Sequence, residues 1–160
     1  SASRCFDELE YLNIDVLGMK GKSRVINIPD DREQLWQQIE NVLRNPVIRR
    51  FVLREDKKLE KKAGISALCE YSLLSDNVYP TYAVTKKELK DSGVKVEKQV
   101  SELEEIGCVV LELGYFIDFL GKGFQDPLSV VLSFTGEEQE EERVDISINE
   151  MLEEYVWSKD

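Results

Sequence analysis

Thr85 opens the stretch that most restricts how this chain can fold. Thr85 and Glu88 stand three residues apart, the spacing of a capping box, and Val84 and Leu89 flank them at the spacing of a hydrophobic staple. Both devices start a helix at the same residue, and Ser92-Gly93 ends it early. Val96, Val100 and Leu103 then recur at i, i+4 and i+7, with Ile106 extending the stripe, which predicts a helix over residues 94–106. Gly107 stands where a helix-ending glycine belongs. Two apolar runs follow, residues 108–113 and 115–120, joined at Gly114 and read as paired strands. Upstream, Ile65, Leu68, Cys69 and Leu73 predict a helix ending near Ser75-Asp76-Asn77. Residues 79–84 read as extended, because Pro80 turns its predecessor away from the helical region.

This order of elements resembles the winged helix-turn-helix superfamily. The residues that carry it are Thr85-Lys-Lys-Glu-Leu-Lys-Asp-Ser-Gly-Val94 and Val96-Glu-Lys-Gln-Val-Ser-Glu-Leu-Glu-Glu-Ile-Gly-Cys-Val-Val110. The resemblance implies that Leu89 and Val94 meet Val100 and Leu103 where two helices cross at a wide angle. It also implies a winged-helix domain over residues 61–124, with residues 108–120 as the wing.

The flanks are read from periodicity and turn chemistry. Residues 3–12 form a helix with Phe6, Leu9 and Leu12 on one side. Residues 14–28 form two strands around Gly18-Met19-Lys20-Gly21-Lys22. Asp30 and Glu33 are read as a capping box for a helix that buries Leu35, Ile39, Val42 and Leu43, with Trp36 beside them. Asn45-Pro46 stops that helix and starts another through Val47, Ile48, Phe51 and Val52, with a buried strand over residues 48–53 as the competing reading. Residues 54–62 are a charge-dense boundary. Residues 137–142, five of them Glu, read as a flexible acidic loop. Val144, Ile146 and Ile148 alternate like a strand. Ser147 and Glu150, with Ile146 and Met151 as staple, then cap a closing helix through Leu152, Tyr155, Val156 and Trp157. The fold class is therefore α+β: a helix/β-hairpin region over residues 1–60, a winged helix over 61–124, and an acidic loop, strand and helix over 125–160.

Composition narrows function. The chain has no histidine, which removes the commonest general base and the usual nucleophilic triads. No GxSxG, P-loop or GxGxxG is present, and Gly121-Lys122-Gly123-Phe124 reads as a turn. Cys5, Cys69 and Cys108 form no CxxC pair, so a zinc site would need all three thiolates and a carboxylate, and none is expected. Cys69 and Cys108 read as core residues of a protein in a reducing compartment. The start, Ser1-Ala2-Ser3-Arg4 ahead of Asp7-Glu8-Leu9-Glu10, does not read as a secretory signal, and no apolar run is long enough to span a membrane. The expected location is intracellular, nucleus or cytoplasm, with no cofactor and no enzymatic activity.

Charge selects the partner. Residues 99–160 carry 3 basic and 16 acidic side chains, net −13, against a total of −11. Such a surface repels phosphate and attracts basic partners. The expected function is thus a non-catalytic protein-interaction module in a larger assembly, which docks a partner with a basic surface. Tyr115, Phe116, Phe119, Phe124 and Trp157 are its candidate aromatic anchors. The alternative is a DNA-binding regulator reading bases with the 94–106 helix, using Lys86, Lys87, Lys90, Lys95, Lys98 and Gln99. Against it, residues 85–106 carry 5 Lys but 6 acids, and the wing has no Arg or Lys before Lys122.

Overall fold

A run of six residues, Cys-Val-Val-Leu-Glu-Leu, is buried on both sides and becomes the middle strand of the larger of two sheets. The computed structural model describes residues 2–11, 17–94 and 105–158. The chain is mixed α+β and divides at Arg44/Asn45 into two units. No helix among the described residues is long and apolar enough to cross a membrane.

The first unit holds α1 (Ala2–Tyr11), the antiparallel hairpin β1 (Leu17–Lys20) and β2 (Ser23–Ile26), α2 (Arg32–Ile39) and a 3-10 turn (Glu40–Val42). The hairpin turns at Gly21, whose φ of +63° suits a residue without Cβ. Arg24 ties it to α1. Its guanidinium donates to Asp7 at 2.6 Å and lies 5.2 Å from the centre of the Phe6 ring. The cap of α2 is Asp31, not Asp30: the Asp31 carboxylate accepts from the Glu33 and Gln34 amides. The helix stops at Ile39, so Val42 and Leu43 fall off the expected buried face and are exposed, while Trp36 is buried.

In the second unit the strand order is β3 (Val47–Leu53), β5 (Cys108–Leu113), β4 (Thr81–Thr85). β5 runs antiparallel to β3, with Phe51 opposite Val110 and Leu53 opposite Cys108, and parallel to β4, with Thr81 opposite Val109 and Thr85 opposite Leu113. Side chains alternate across the sheet. Leu53, Tyr82, Val84, Cys108 and Val110 pack on one face with Leu89 of α4 (Lys86–Asp91). Ala83, Val109, Leu111 and Leu113 pack with Ala63 on the other face. There α3 (Gly64–Tyr71), α5 (Pro127–Ser133) and α7 (Glu142–Leu152) pack on one another.

Residues 47–53 are strand, not helix. Val47, Ile48, Phe51 and Val52 are β-branched or aromatic, and ladder bonds to β5 outweigh their accidental helical spacing. The wing hairpin does not form. Both edges of β5 are already taken, by β3 and β4, so residues 115–120 have no strand to pair with and make a loop with one isolated bridge, Asp118 to Gln125. Gly107 is not left-handed; a Cβ there would lie 2.4 Å from the Arg54 carbonyl oxygen, so glycine is required by close backbone approach. The predicted 94–106 helix, with Lys95, Lys98, Gln99 and Leu103, falls largely outside the described residues.

The acidic run is ordered. Thr135 and Glu138 form a capping box that starts α6 (Gly136–Glu140), and α7 begins at Glu142. The strand expected over 144–148 is instead the middle of α7, which buries Val144, Ile148, Met151 and Leu152 at i, i+4, i+7 and i+8 while Ile146 stays exposed. Ser147 is not a cap; its hydroxyl donates back to the Arg143 carbonyl. A π-turn, Glu153–Trp157, follows α7 directly.

A candidate docking cleft

Tyr71 sits on the last turn of α3 with its ring buried. Its hydroxyl donates to the Gln125 carbonyl oxygen at 2.6 Å. Three rings meet it edge-on, Phe119, Phe124 and Tyr155, each with centroids 5.1 Å away. The loop that delivers Phe119 and Phe124 folds back on itself. Gly121 and Gly123 take φ of +72° and +79°, the Gly123 amide donates to the Asp118 carboxylate, and the Phe119 amide donates to the Phe124 carbonyl. Next to it Gln125 is fully buried and satisfied: its Nε2 donates to Ser133 Oγ at 2.8 Å, and its Oε1 accepts from the Gly64 amide. The loop is thus pinned to α3 and α5. Burial, with Asp126, Tyr155 and Asp118 near, pushes the Tyr71 phenol well above its ordinary range, so it stays a donor.

Tyr71 and Tyr155 of this cluster line an open cleft of about 680 Å³. One wall is the end of α3, Glu70 through Leu73; the other is the end of α7 and the π-turn, Glu150 with Glu153, Glu154 and Tyr155. Leu73 is 97% exposed and Tyr155 41% exposed, so both offer apolar surface to solvent. Four carboxylates rim that surface. Glu70 is paired with Lys62 at 2.6 Å. Glu150, Glu153 and Glu154 make no ion pair among the described residues, and the last turn of α7 carries no basic residue. Three negative charges therefore gather at the negative end of a helix dipole, two of them at the repulsive i, i+4 spacing.

The candidate anchors are divided by this geometry. Phe119 is half-buried and Phe124 buried, both packed against Tyr71 behind the cleft lining. Tyr115 is exposed; Phe116 is half-buried with the Lys61 ammonium 5.0 Å from its ring centre; Trp157 is half-buried in the π-turn. The exposed Lys86, Lys87 and Lys90 lie on α4, which covers the opposite face of the sheet from α3 and α7. Lys95, Lys98 and Gln99 are outside the described residues. Sequence reasoning missed Tyr71 and Leu73 as site residues. The available signal was an acidic-aromatic pair at each wall, Glu70-Tyr71 and Glu154-Tyr155. Comparison with known protein families, curated proteins and solved structures returns no match for this chain.

Proposed function

We propose that this chain is a non-catalytic protein-interaction module of a larger intracellular assembly, and that the cleft between α3 and α7 docks a basic segment of a partner protein. The observation that carries the reading is the placement of Glu150, Glu153 and Glu154, unpaired among the described residues, around the apolar surface of Tyr155 and Leu73. Each such charge at a helix C-terminus costs about 0.3–1 kcal/mol. A cationic partner reverses the sign of that term, and apolar surface beside it supplies the anchor that charge alone lacks.

The test is fluorescence anisotropy with a labelled peptide that alternates leucine with basic residues. Binding is expected at low ionic strength, weakening as salt rises. It should be lost in the triple variant Glu150→Gln, Glu153→Gln, Glu154→Gln. No binding to the parent protein at low salt removes the reading.

A DNA-binding role keeps one observation in its favour, the exposed Lys86, Lys87 and Lys90 on α4. It has no wing to use, since no hairpin follows β5 among the described residues. A mobility shift on duplex DNA that Lys86→Ala with Lys87→Ala abolishes at physiological salt favours it over docking.

A further inference from the structure

Among the described residues, three side-chain cations are held by one repeated device, an aromatic ring together with a carboxylate. Arg24 lies 5.2 Å from the Phe6 ring centre and donates to Asp7 and Glu10. Arg49 lies 5.2 Å from that of Phe51 and donates to Glu112. Lys61 lies 5.0 Å from that of Phe116 and donates to Glu88. In the cleft the same two halves stand together: the part-exposed Tyr155 ring, with Glu150 and Glu154 in the same lining. No cation of the described residues joins them.

We infer that the cleft seats an arginine side chain of the partner, stacked on Tyr155 and bridged to Glu150 and Glu154, in preference to a lysine. This rests on the docking reading above and names the residue that the site selects. Three physical arguments separate the two cations. The guanidinium is planar and weakly hydrated, so moving it onto a ring costs less than moving an ammonium. Its five donors spread over a fork, which can serve two carboxylates at once, whereas an ammonium is a point charge. Tyr155 is also preorganised: it meets Tyr71 at 68° and Phe119 at 89°, with centroids 5.1 and 5.9 Å away, so its ring is held before the partner arrives.

The experiment uses the full chain and two labelled peptides with the same leucines, one carrying arginine at every basic position and the other lysine. The arginine peptide is expected to bind at least about 5-fold tighter, within the range of a desolvated cation–π contact. Tyr155→Leu should weaken the arginine peptide more than the lysine peptide and so lower that ratio towards one, and Tyr155→Phe should keep it. Equal affinities for the parent protein, or a ratio that Tyr155→Leu leaves unchanged, overturns the arginine assignment while docking of a basic segment stands. Failure of both peptides to bind at low salt overturns both. A circular dichroism melt of each variant establishes that a lost ratio is not lost fold, and Tyr155→Phe reads the ring where Tyr155→Leu does not fold.

Discussion

The Tyr71 hydroxyl donates a 2.6 Å hydrogen bond to the main-chain carbonyl of Gln125, and through it the last turn of α3 is fastened to the loop that carries Phe119 and Phe124. Gln125 is fully buried, so its carbonyl has no ready substitute for that donor. Tyr71→Phe keeps the four-ring cluster and removes only the bond. It should lower stability by about 1–3 kcal/mol, the cost of leaving a buried acceptor unsatisfied. Tyr71→Ala, which also empties the ring site, should cost about 3–5 kcal/mol. Urea unfolding followed by tryptophan fluorescence measures both. A Tyr71→Phe loss of only a few tenths would show that the carbonyl is satisfied in another way.

Arg49 and Glu112 make a second testable pair. Glu112 lies on the central strand, 2% exposed, and its carboxylate accepts from Arg49 Nε at 2.5 Å, while Arg49 itself is 53% exposed. Removing Arg49 strands a buried charge. Removing both leaves an apolar row that continues Cys108 and Val110 along the same face. Arg49→Met should therefore destabilise, and adding Glu112→Leu should recover part of the loss, since an unpaired buried charge costs more than a missing pair. A double variant less stable than either single variant would contradict this.

Alkaline pH should loosen the second unit. Burial pushes the Cys69 thiol up to about 11 from an ordinary 9.0, with Asp76 and Glu70 adding to the shift. A folded-state pKa above the unfolded one means that the folded protein holds the proton more tightly. The stability this contributes is fully present below pH 9.0 and is lost as pH rises towards about 11. Tyr71 and Tyr82 are raised by burial in the same direction, from 10.0, and act over a higher window. Melting temperature should thus fall between about pH 9 and about pH 11, and Cys69→Ala should reduce the fall. An identical fall in the variant would assign the loss to the tyrosines alone.

What was legible in the sequence was what local chemistry decides. Thr85 caps α4 and its side chain accepts from the Glu88 amide; Ser92-Gly93 ends the helix, Gly93 with φ of +64°. The Gly21 and Gly121–Gly123 turns follow for the same reason, since left-handed backbone favours glycine, although Lys58 and Leu120 adopt it as well. What was not legible depends on pairing at a distance. The burial of β5 on both faces marks a central strand. Yet nothing local tells that its neighbours are β3 from far upstream and a parallel β4, rather than the adjacent residues 115–120. Val144, Ile146 and Ile148 misled for a related reason: Val144 and Ile148 satisfy both the strand period and the helix period, and Met151 and Leu152 decide between them only when α7 is read whole. The cleft was half legible. The acidic surplus and Phe119 and Phe124 pointed to its neighbourhood, but Tyr71 reaches them only through the folded-back loop.

The acidic residues give the last prediction, because two groups of glutamates close in sequence should respond to charge removal with opposite sign. Glu138 completes the capping box of Thr135 and pairs with Arg50 at 3.1 Å across to β3. Its charge is used in the fold, and Glu138→Ala should cost about 0.5–1.5 kcal/mol through the lost cap and the weak, part-exposed pair. Glu150, Glu153 and Glu154 have no such partner among the described residues, and they sit where the helix dipole and one another oppose them. Changing all three to Gln should raise stability by about 0.5–1.5 kcal/mol at low salt, and the gain should shrink as salt screens it. The same triple change should abolish binding of the basic peptide. Stability gained together with binding lost is the signature of charges kept for a partner rather than for the fold. The measurement pairs thermal melts at two ionic strengths with the anisotropy titration. A triple variant that melts lower than the parent would mean that these carboxylates serve the fold after all.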